Sequence, residues 1–190
     1  MRIRSLVSLA ALSLSAGQLM AQNSPQMSPA AAVPQWRSFI GANPLGIPFD
    51  IVSVEAETAI SSGGTVGLVA AYNDFDDTRF TTFDLRGKYY PGEVAMRGFA
   101  VGLSLGTTKF NGFDYTRPGD PVTGEPPRAT LQAPTLGVLV DYNWAQGPSQ
   151  RFIVGTGIGA KRILASEEKR RPLDLERAYI TGRFVIGLLF

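Results

Sequence analysis

The chain closes with the run Tyr179-Ile-Thr-Gly-Arg-Phe-Val-Ile-Gly-Leu-Leu-Phe190, in which large apolar side chains recur at every second position. Alternation with a period of two predicts a β-strand with one apolar face and one small or polar face. Phe184, Ile186, Leu188 and Phe190 share the apolar face. The run therefore predicts a terminal β-strand with one apolar face.

The opposite end of the sequence has the organisation of a secretory signal peptide, which we assign to residues 1–21. Arg2 and Arg4 precede a short apolar stretch, and small residues follow it. The apolar stretch is shorter than the roughly 20 residues that a membrane-spanning helix needs. We expect cleavage after Ala21, with cleavage after Gly17 as the alternative.

Beyond the leader, residues 22–35 are rich in Pro, Ser and Ala and lack periodicity, which predicts a flexible periplasmic lead-in to one folded domain at residues 36–190. Two of the 18 basic residues lie in the leader, so the remaining sixteen match the 16 acidic residues. Because the mature chain then has no net charge, its composition gives no support for a nucleic-acid partner. The absence of cysteine excludes a disulfide framework, a thiolate metal site and a lipid-attached lipoprotein.

Seven segments of the folded domain show the same alternation, and none has a sustained helical period. In one of them, Phe83 and Leu85 share a face, while Asp84 and Arg86 share the other. The segments lie at about 50–60, 65–73, 80–90, 97–110, 130–144, 150–163 and 177–190. The pattern predicts an all-β protein.

The connections between these segments alternate in length, and this alternation sets the strand count. Short turns at 61–64, 91–96 and 145–149 alternate with longer polar loops at 74–79, 111–129 and 164–176. Transmembrane barrels place short turns in the periplasm and long loops outside, so strand 50–60 runs toward the periplasm and needs an upward partner. Residues 36–43 are the only candidate, although Pro44 and Pro48 are unfavourable to this first strand. The prediction is an eight-stranded antiparallel up-and-down transmembrane β-barrel with no free edge.

Alternation alone also describes a soluble lipocalin-like carrier, with apolar residues inside and polar residues outside. Two features favour the membrane barrel. The non-apolar face is dominated by Gly, Ala, Ser and Thr, which suit a crowded barrel interior. Aromatic residues on the apolar face also fall at the periplasmic ends of their strands, where they predict an interfacial girdle of Tyr89, Phe99, Tyr142, Trp144, Phe152 and Phe190.

The leader, the eight alternating strands, the tight inner turns and Phe190 resemble the superfamily of small outer-membrane β-barrels that includes OmpA-, OmpX- and OmpW-type proteins. The resemblance covers nearly all of the mature chain. It implies an integral protein of the bacterial outer membrane, expected to be monomeric and in contact with outer-membrane lipid and lipopolysaccharide. It also implies that the barrel-assembly machinery recognises the C-terminal strand through Phe190. The peptidoglycan-binding domain that OmpA-type proteins often add is not expected, since the sequence ends with the barrel.

The sequence contains no histidine, and this limits its chemistry. Outer-membrane barrel enzymes, including lipid A deacylases, palmitoyltransferases, phospholipases and proteases, rely on a catalytic His that activates Ser or water near neutral pH. We therefore expect no enzymatic activity, no cofactor and no metal site. The carboxylates of Glu167, Glu168, Asp174 and Glu176 could hold a hard cation, but the interspersed Lys and Arg favour a solvated mixed-charge loop.

The inward faces of the predicted strands carry charges of both signs, at Glu55, Glu57, Asp84, Arg86, Lys88, Asp141, Arg151, Lys161 and Arg183. Charges in a narrow lumen must be paired or hydrated, so the pattern predicts a salt-bridge network that plugs the barrel. The alternative is a polar pathway for small solutes or protons. In the longest loop, Phe113 and Tyr115 are candidate contacts for a sugar, a host surface or an envelope protein, unless both rings lie against the barrel rim.

Together these observations predict a non-enzymatic outer-membrane barrel with a structural or surface-interaction role. One alternative is a conduit or binding site for a small hydrophobic solute, which a lateral opening near 44–48 or Pro134 would favour. The other alternative is the soluble carrier.

Overall fold

The computed structural model describes residues 36–75, 78–92 and 94–190, which form a closed β-barrel. Its strands are β1 (Ser38–Ala42), β2 (Ile51–Ala59), β3 (Gly64–Phe75), β4 (Thr78–Tyr89), β5 (Gly98–Phe113), β6 (Arg128–Gln146), β7 (Phe152–Ile163) and β8 (Ala178–Leu189). Each strand pairs antiparallel with the next, and β8 pairs with β1. The predicted all-β, eight-stranded up-and-down barrel is therefore confirmed. The leader and lead-in predicted for residues 1–35 lie outside the described residues.

Among the described residues, three short helices lie in the loops at the end of the barrel opposite the tight turns. A 3-10 helix at Ile47–Phe49 follows β1, and helix α1 (Glu167–Arg170) with a second 3-10 helix (Arg171–Leu173) lies between β7 and β8. Within the described residues, no helix combines the length and the apolar character that crossing a bilayer requires.

The strands are strongly tilted. Following paired residues from Phe39 on β1 around the sheet leads to Tyr179 on β8, whereas Phe39 itself pairs with Leu189, ten residues further along. With ~3.3 Å per residue and ~4.8 Å between strands, this displacement gives a tilt of about 40°. A strand of 12 residues such as β4 then rises about 30 Å along the barrel axis, the thickness of a bilayer's hydrocarbon core.

Several strand ends differ from the predicted bounds. The β3–β4 pair extends to Phe75 and Thr78, and the β5–β6 pair extends to Phe113 and Arg128. These extensions lie near the long loops, where the outward positions hold the polar residues Asp74, Arg79, Asn111 and Arg128, so the apolar alternation stops although the ladder continues. Strand β1 is shorter than predicted because it stops before Pro44, which cannot donate to a ladder.

Burial alternates along the strands and places polar residues inside. In β6, every second residue from Leu131 to Asn143 is buried, and the residues between them are exposed. The buried set includes Thr135 and Asp141, whereas the exposed set includes Leu136 and Val138. This arrangement is the reverse of that in a soluble protein, which buries its apolar side chains.

Apolar side chains nevertheless fill both ends of the lumen. The turn-side cluster, next to the short turns, consists of Phe39, Met96, Ile153, Val185 and Leu189. The loop-side cluster, next to the long loops, consists of Phe110, Leu131, Ala133, Ile163 and Leu173. Leu173 comes from the last loop and is buried, so this loop contributes to closing the mouth of the barrel.

Candidate functional site

Eight charged side chains meet in the middle of the lumen and form one continuous series of ion pairs, which we call the ion-pair chain. Its members, in order of contact, are Lys161, Asp84, Arg86, Glu55, Arg183, Asp141, Lys88 and Glu57. Cations and carboxylates alternate along the whole series, four of each. The chain is therefore electrically neutral, as a group of charges removed from water must nearly be.

The contacts of the ion-pair chain differ in strength. The shortest pairs join Lys161 to Asp84 and Arg183 to Glu55. Lys88 lies 2.8 Å from a Glu57 oxygen and 3.0 Å from an Asp141 oxygen. The links made by Arg86, to Glu55 and to Asp84, are longer, at 3.6 and 3.8 Å.

Arg183 is the central cation of this chain. Its Nε donates to Glu55 Oε2 at 3.0 Å and its Nη2 donates to Glu55 Oε1, so the contact has the bidentate geometry that arginine favours. One terminal nitrogen donates to Asn143 Oδ1 at 2.9 Å and lies 3.6 Å from Asp141. Loss of Arg183 would therefore affect two carboxylates at once.

Neutral polar groups complete the network near the turn-side cluster. Glu57 accepts hydrogen bonds from the hydroxyls of Thr65 at 2.6 Å and Tyr90 at 2.8 Å. Asn143 donates to the Tyr90 hydroxyl at 3.2 Å and to the Met96 carbonyl at 3.3 Å. Since Asn143 also accepts from Arg183, the charged and neutral groups form a closed ring.

The lumen around the ion-pair chain is tightly filled. Two cavities of about 10 and 20 Å³ adjoin the chain, and Arg86 lines both. These volumes are close to the ~10–15 Å³ that a single water molecule requires. Apolar clusters lie on either side of the ion-pair chain, at the two ends of the lumen.

Sequence reasoning was wrong about Arg151, which is not part of the network. Its parity is inward, but β7 begins only at Phe152, so Arg151 lies in the turn and is exposed. Its Nε donates to the Leu189 carbonyl at 3.2 Å, and its guanidinium lies 4.8 Å from the centroid of the Trp36 ring. The other eight predicted lumen charges lie in the ion-pair chain.

Sequence reasoning missed the two neutral members of the ring. Asn143 shares the inward parity of Asp141, so its position was a usable signal. Tyr90 follows the last residue of β4 and shares the inward parity of Asp84 and Lys88, so the alternation was a usable signal here too, with Tyr89 facing outward.

The six aromatic residues expected at the periplasmic interface lie on the outer face at the rim of the short turns. Their exposed fractions range from 41% for Phe152 to 58% for Phe190. The Tyr142 and Trp144 rings contact each other, with centroids 4.6 Å apart. The other two are Tyr89 and Phe99, which are also exposed.

The two aromatic residues proposed as loop contacts are in different environments. Phe113 is not in a loop: it ends β5, and the Arg128 guanidinium lies 4.8 Å from its ring centroid. Tyr115 is in the loop and is exposed, and its backbone N–H donates to the Pro172 carbonyl at 2.9 Å. The longest loop therefore contacts the last loop through its backbone.

The tip of the longest loop is ordered by its own acidic residue. Asp120 accepts hydrogen bonds from the backbone N–H groups of Thr123 and Val122, which hold the pKa of its carboxyl below the usual value. Among the residues that the structure describes, no three acidic side chains are arranged to hold a metal ion.

The wall between β8 and β2 contains a seam that strand pairing does not close. β1 pairs with β8 only from Phe39–Leu189 to Ala42–Ile186. Beyond Ala42, the chain bonds to β2 instead, through Asn43 N to the Ser53 carbonyl at 3.0 Å and Ile51 N to the Gly46 carbonyl at 2.9 Å. Within the described part of the chain, the upper part of β8 thus has no strand on this side.

Comparisons with known proteins give one structural likeness. No protein-family model matches the chain, and none of the curated proteins matches it. The N-terminal β-barrel domain of Pseudomonas aeruginosa OprF aligns with 82% of this chain and 98% of that domain, at 12% sequence identity and a TM-score of 0.48. The strand order and register themselves establish the fold, which is the eight-stranded antiparallel architecture of the small outer-membrane barrels that the sequence resembles.

Proposed function

We propose that this chain is an integral barrel of the bacterial outer membrane with a non-enzymatic, structural role in the envelope, and that its loops present surface contacts. The observation that carries the proposal is the inversion of polarity: a neutral ion-pair chain fills the interior, and apolar side chains cover the wall. The proposal includes export through the signal peptide predicted for residues 1–21.

The outer wall has the dimensions of a membrane-spanning surface. Apolar residues face outward from Leu136 to Trp144 on β6 and from Ile180 to Leu188 on β8, and Phe190 follows. At a tilt of about 40°, these stretches rise ~20 to 25 Å, close to the apolar band of about 25 Å in outer-membrane barrels. A soluble carrier with this surface would expose far more contiguous apolar area than monomeric proteins tolerate.

The filled interior supports a structural role over transport. The apolar clusters lie at the two ends of the lumen, and the paired charges lie between them. Opening a path would require moving buried side chains out of both clusters and separating ion pairs. The lack of His and Cys in the sequence also removes the nucleophile and base chemistry that known barrel enzymes use.

Fractionation and conductance test this proposal. We expect the protein in the outer-membrane fraction, a heat-dependent change in gel mobility, and no steady ion conductance in planar bilayers. A monodisperse, detergent-free soluble protein would refute the membrane assignment. A stable open channel at low voltage would refute the structural role but leave the membrane assignment intact.

A second candidate function, the binding or lateral passage of a small hydrophobic molecule, is favoured by the seam beside β8. Leu45, Ile47 and Phe49 in the adjacent loop are all at least 60% exposed. A photoactivatable alkyl probe in lipid vesicles would discriminate. Labelling concentrated at the seam would support this function, whereas even labelling around the wall would exclude it.

A further inference from the structure

The outward faces of the strands carry charges at only one end of the barrel. Within the described residues, these charges are Asp74, Arg79, Lys109, Arg128 and Arg162. All five lie near the long loops, just beyond the apolar band. At the opposite rim, the outward positions hold the uncharged aromatic residues described above. The two rims therefore suit two chemically different membrane surfaces.

Two of the four cations at this rim already have partners. Arg79 pairs with Asp74 at 2.7 Å, and the Arg128 guanidinium stacks on the Phe113 ring. Lys109 and Arg162 are exposed, and neither forms an ion pair with any of the described residues. The rim thus has an excess of positive charge at two specific positions.

Lys109 and Arg162 are close enough to act on one ligand. Lys109 is level with Gln132 on β6, and Arg162 is level with Leu136, four residues along the same strand. Two strand spacings of ~4.8 Å and four residues of ~3.3 Å place their Cα atoms about 16 Å apart. Since each side chain extends ~6 Å, both cationic groups can reach one headgroup lying over the exposed Gln132 and Pro134.

We propose that Lys109 and Arg162 bind the phosphate groups of an anionic glycolipid in the outer leaflet. The inference deepens the proposed function, because it requires the loop end of the barrel to lie at the outer surface of the membrane. Charge complementarity supports it: guanidinium and ammonium groups are the usual ligands of phosphate. An apolar band directly below the two cations accommodates the acyl chains of the same lipid.

Native mass spectrometry from a neutral detergent tests the site. The probes are a diphosphorylated glycolipid and the same glycolipid with both phosphates removed. Wild type is expected to retain the phosphorylated form, and the Lys109→Gln/Arg162→Gln variant is expected to bind it about 25-fold more weakly, or about 5-fold per cation. The matched control is Lys169→Gln/Arg171→Gln, which removes the same charge from exposed loop positions and should bind like wild type.

The outcomes separate this proposal from the proposed function. Equal binding by the Lys109→Gln/Arg162→Gln variant and by wild type would overturn the site, as would equal binding of both lipids by wild type. Heat-dependent gel mobility and insertion into vesicles, measured on the same samples, report on the barrel itself. If those properties persist while the lipid results fail, the barrel assignment stands and only the phosphate site is lost.

Discussion

Replacing Arg183 with methionine should strongly destabilise the barrel. The substitution keeps most of the side-chain volume but leaves four buried carboxylates with three cations. Glu55 would retain only the 3.6 Å contact with Arg86, and Asp141 would retain only Lys88. Removing one partner of a buried ion pair typically costs about 3–5 kcal/mol, so we expect a loss of that size in the free energy of unfolding.

A second substitution separates the stranded charge from the lost packing. Adding Glu55→Gln to Arg183→Met removes the carboxylate that lost its bidentate partner and makes the remaining chain neutral again. The double variant should therefore be more stable than the sum of the two single losses predicts, with a coupling energy of about 1–3 kcal/mol. Additive losses would show that the two side chains do not act as a pair.

Urea unfolding in lipid vesicles, followed by the fluorescence of Trp36 and Trp144, measures these differences. Arg177→Met is the matched control, because Arg177 is exposed, lies just before β8 and forms no ion pair with the described residues. If the urea midpoint of Arg183→Met equalled that of the control, the claim that Arg183 stabilises the buried carboxylates of the ion-pair chain would be refuted.

Three further experiments test the packing around the ion-pair chain and the seam beside β8. Gly157→Ala should cost about 1–3 kcal/mol in urea unfolding, since its Cβ would collide with Asp141, whereas Gly87→Ala should be harmless because nothing lies within 4 Å; equal effects would contradict the packing. Tyr90→Phe should cost about 1–3 kcal/mol, as Glu57 and Asn143 both lose a buried hydrogen bond, and an unchanged midpoint would contradict this. Hydrogen exchange by NMR should show fast-exchanging amides on the unpaired edge of β8 and slow ones at Thr181 and Val185, which face β7; uniform protection would mean that the seam is closed. The fast amides expected are those of Ile180, Gly182 and Phe184.

The architecture was predictable because the two faces of each strand carry different residue types. A wall residue must be apolar and an inward residue must fit the lumen, so parity alone assigned Asp84, Arg86 and Asp141 to the interior. Parity could not predict which charges meet, because the ten-residue displacement of the ladder brings Glu55 on β2 to Arg183 on β8. Parity also failed at one strand end, because Arg151 has the inward parity but lies in a turn.

The prolines of the first loop explain the seam in terms of register. Residues 38 and 190 exchange backbone hydrogen bonds, so the backbone N–H and C=O groups of the even-numbered residues of β1 point toward β8. Continuing the observed register would place Pro44 opposite Phe184 and Pro48 opposite Ile180. Proline has no N–H to donate, so β1 cannot extend along β8 and bonds to β2 alone. The sequence thus encodes the gap at the positions where the ladder would need donors.

The short contact between β1 and β8 also explains why the interior contains ion pairs and not a purely apolar core. Buried ion pairs add little net stability, but a slip of one residue would turn an entire strand's inward charges outward. In the proposed membrane location, this would cost about 2–4 kcal/mol for each Arg or Lys near the bilayer midplane. Closure rests on four paired positions and the backbone of Phe190, which both donates to and accepts from Ser38. The bidentate contact between Arg183 and Glu55 joins β8 to β2 across the short β1. We infer that this contact fixes the closing register at the point where the ladder is weakest.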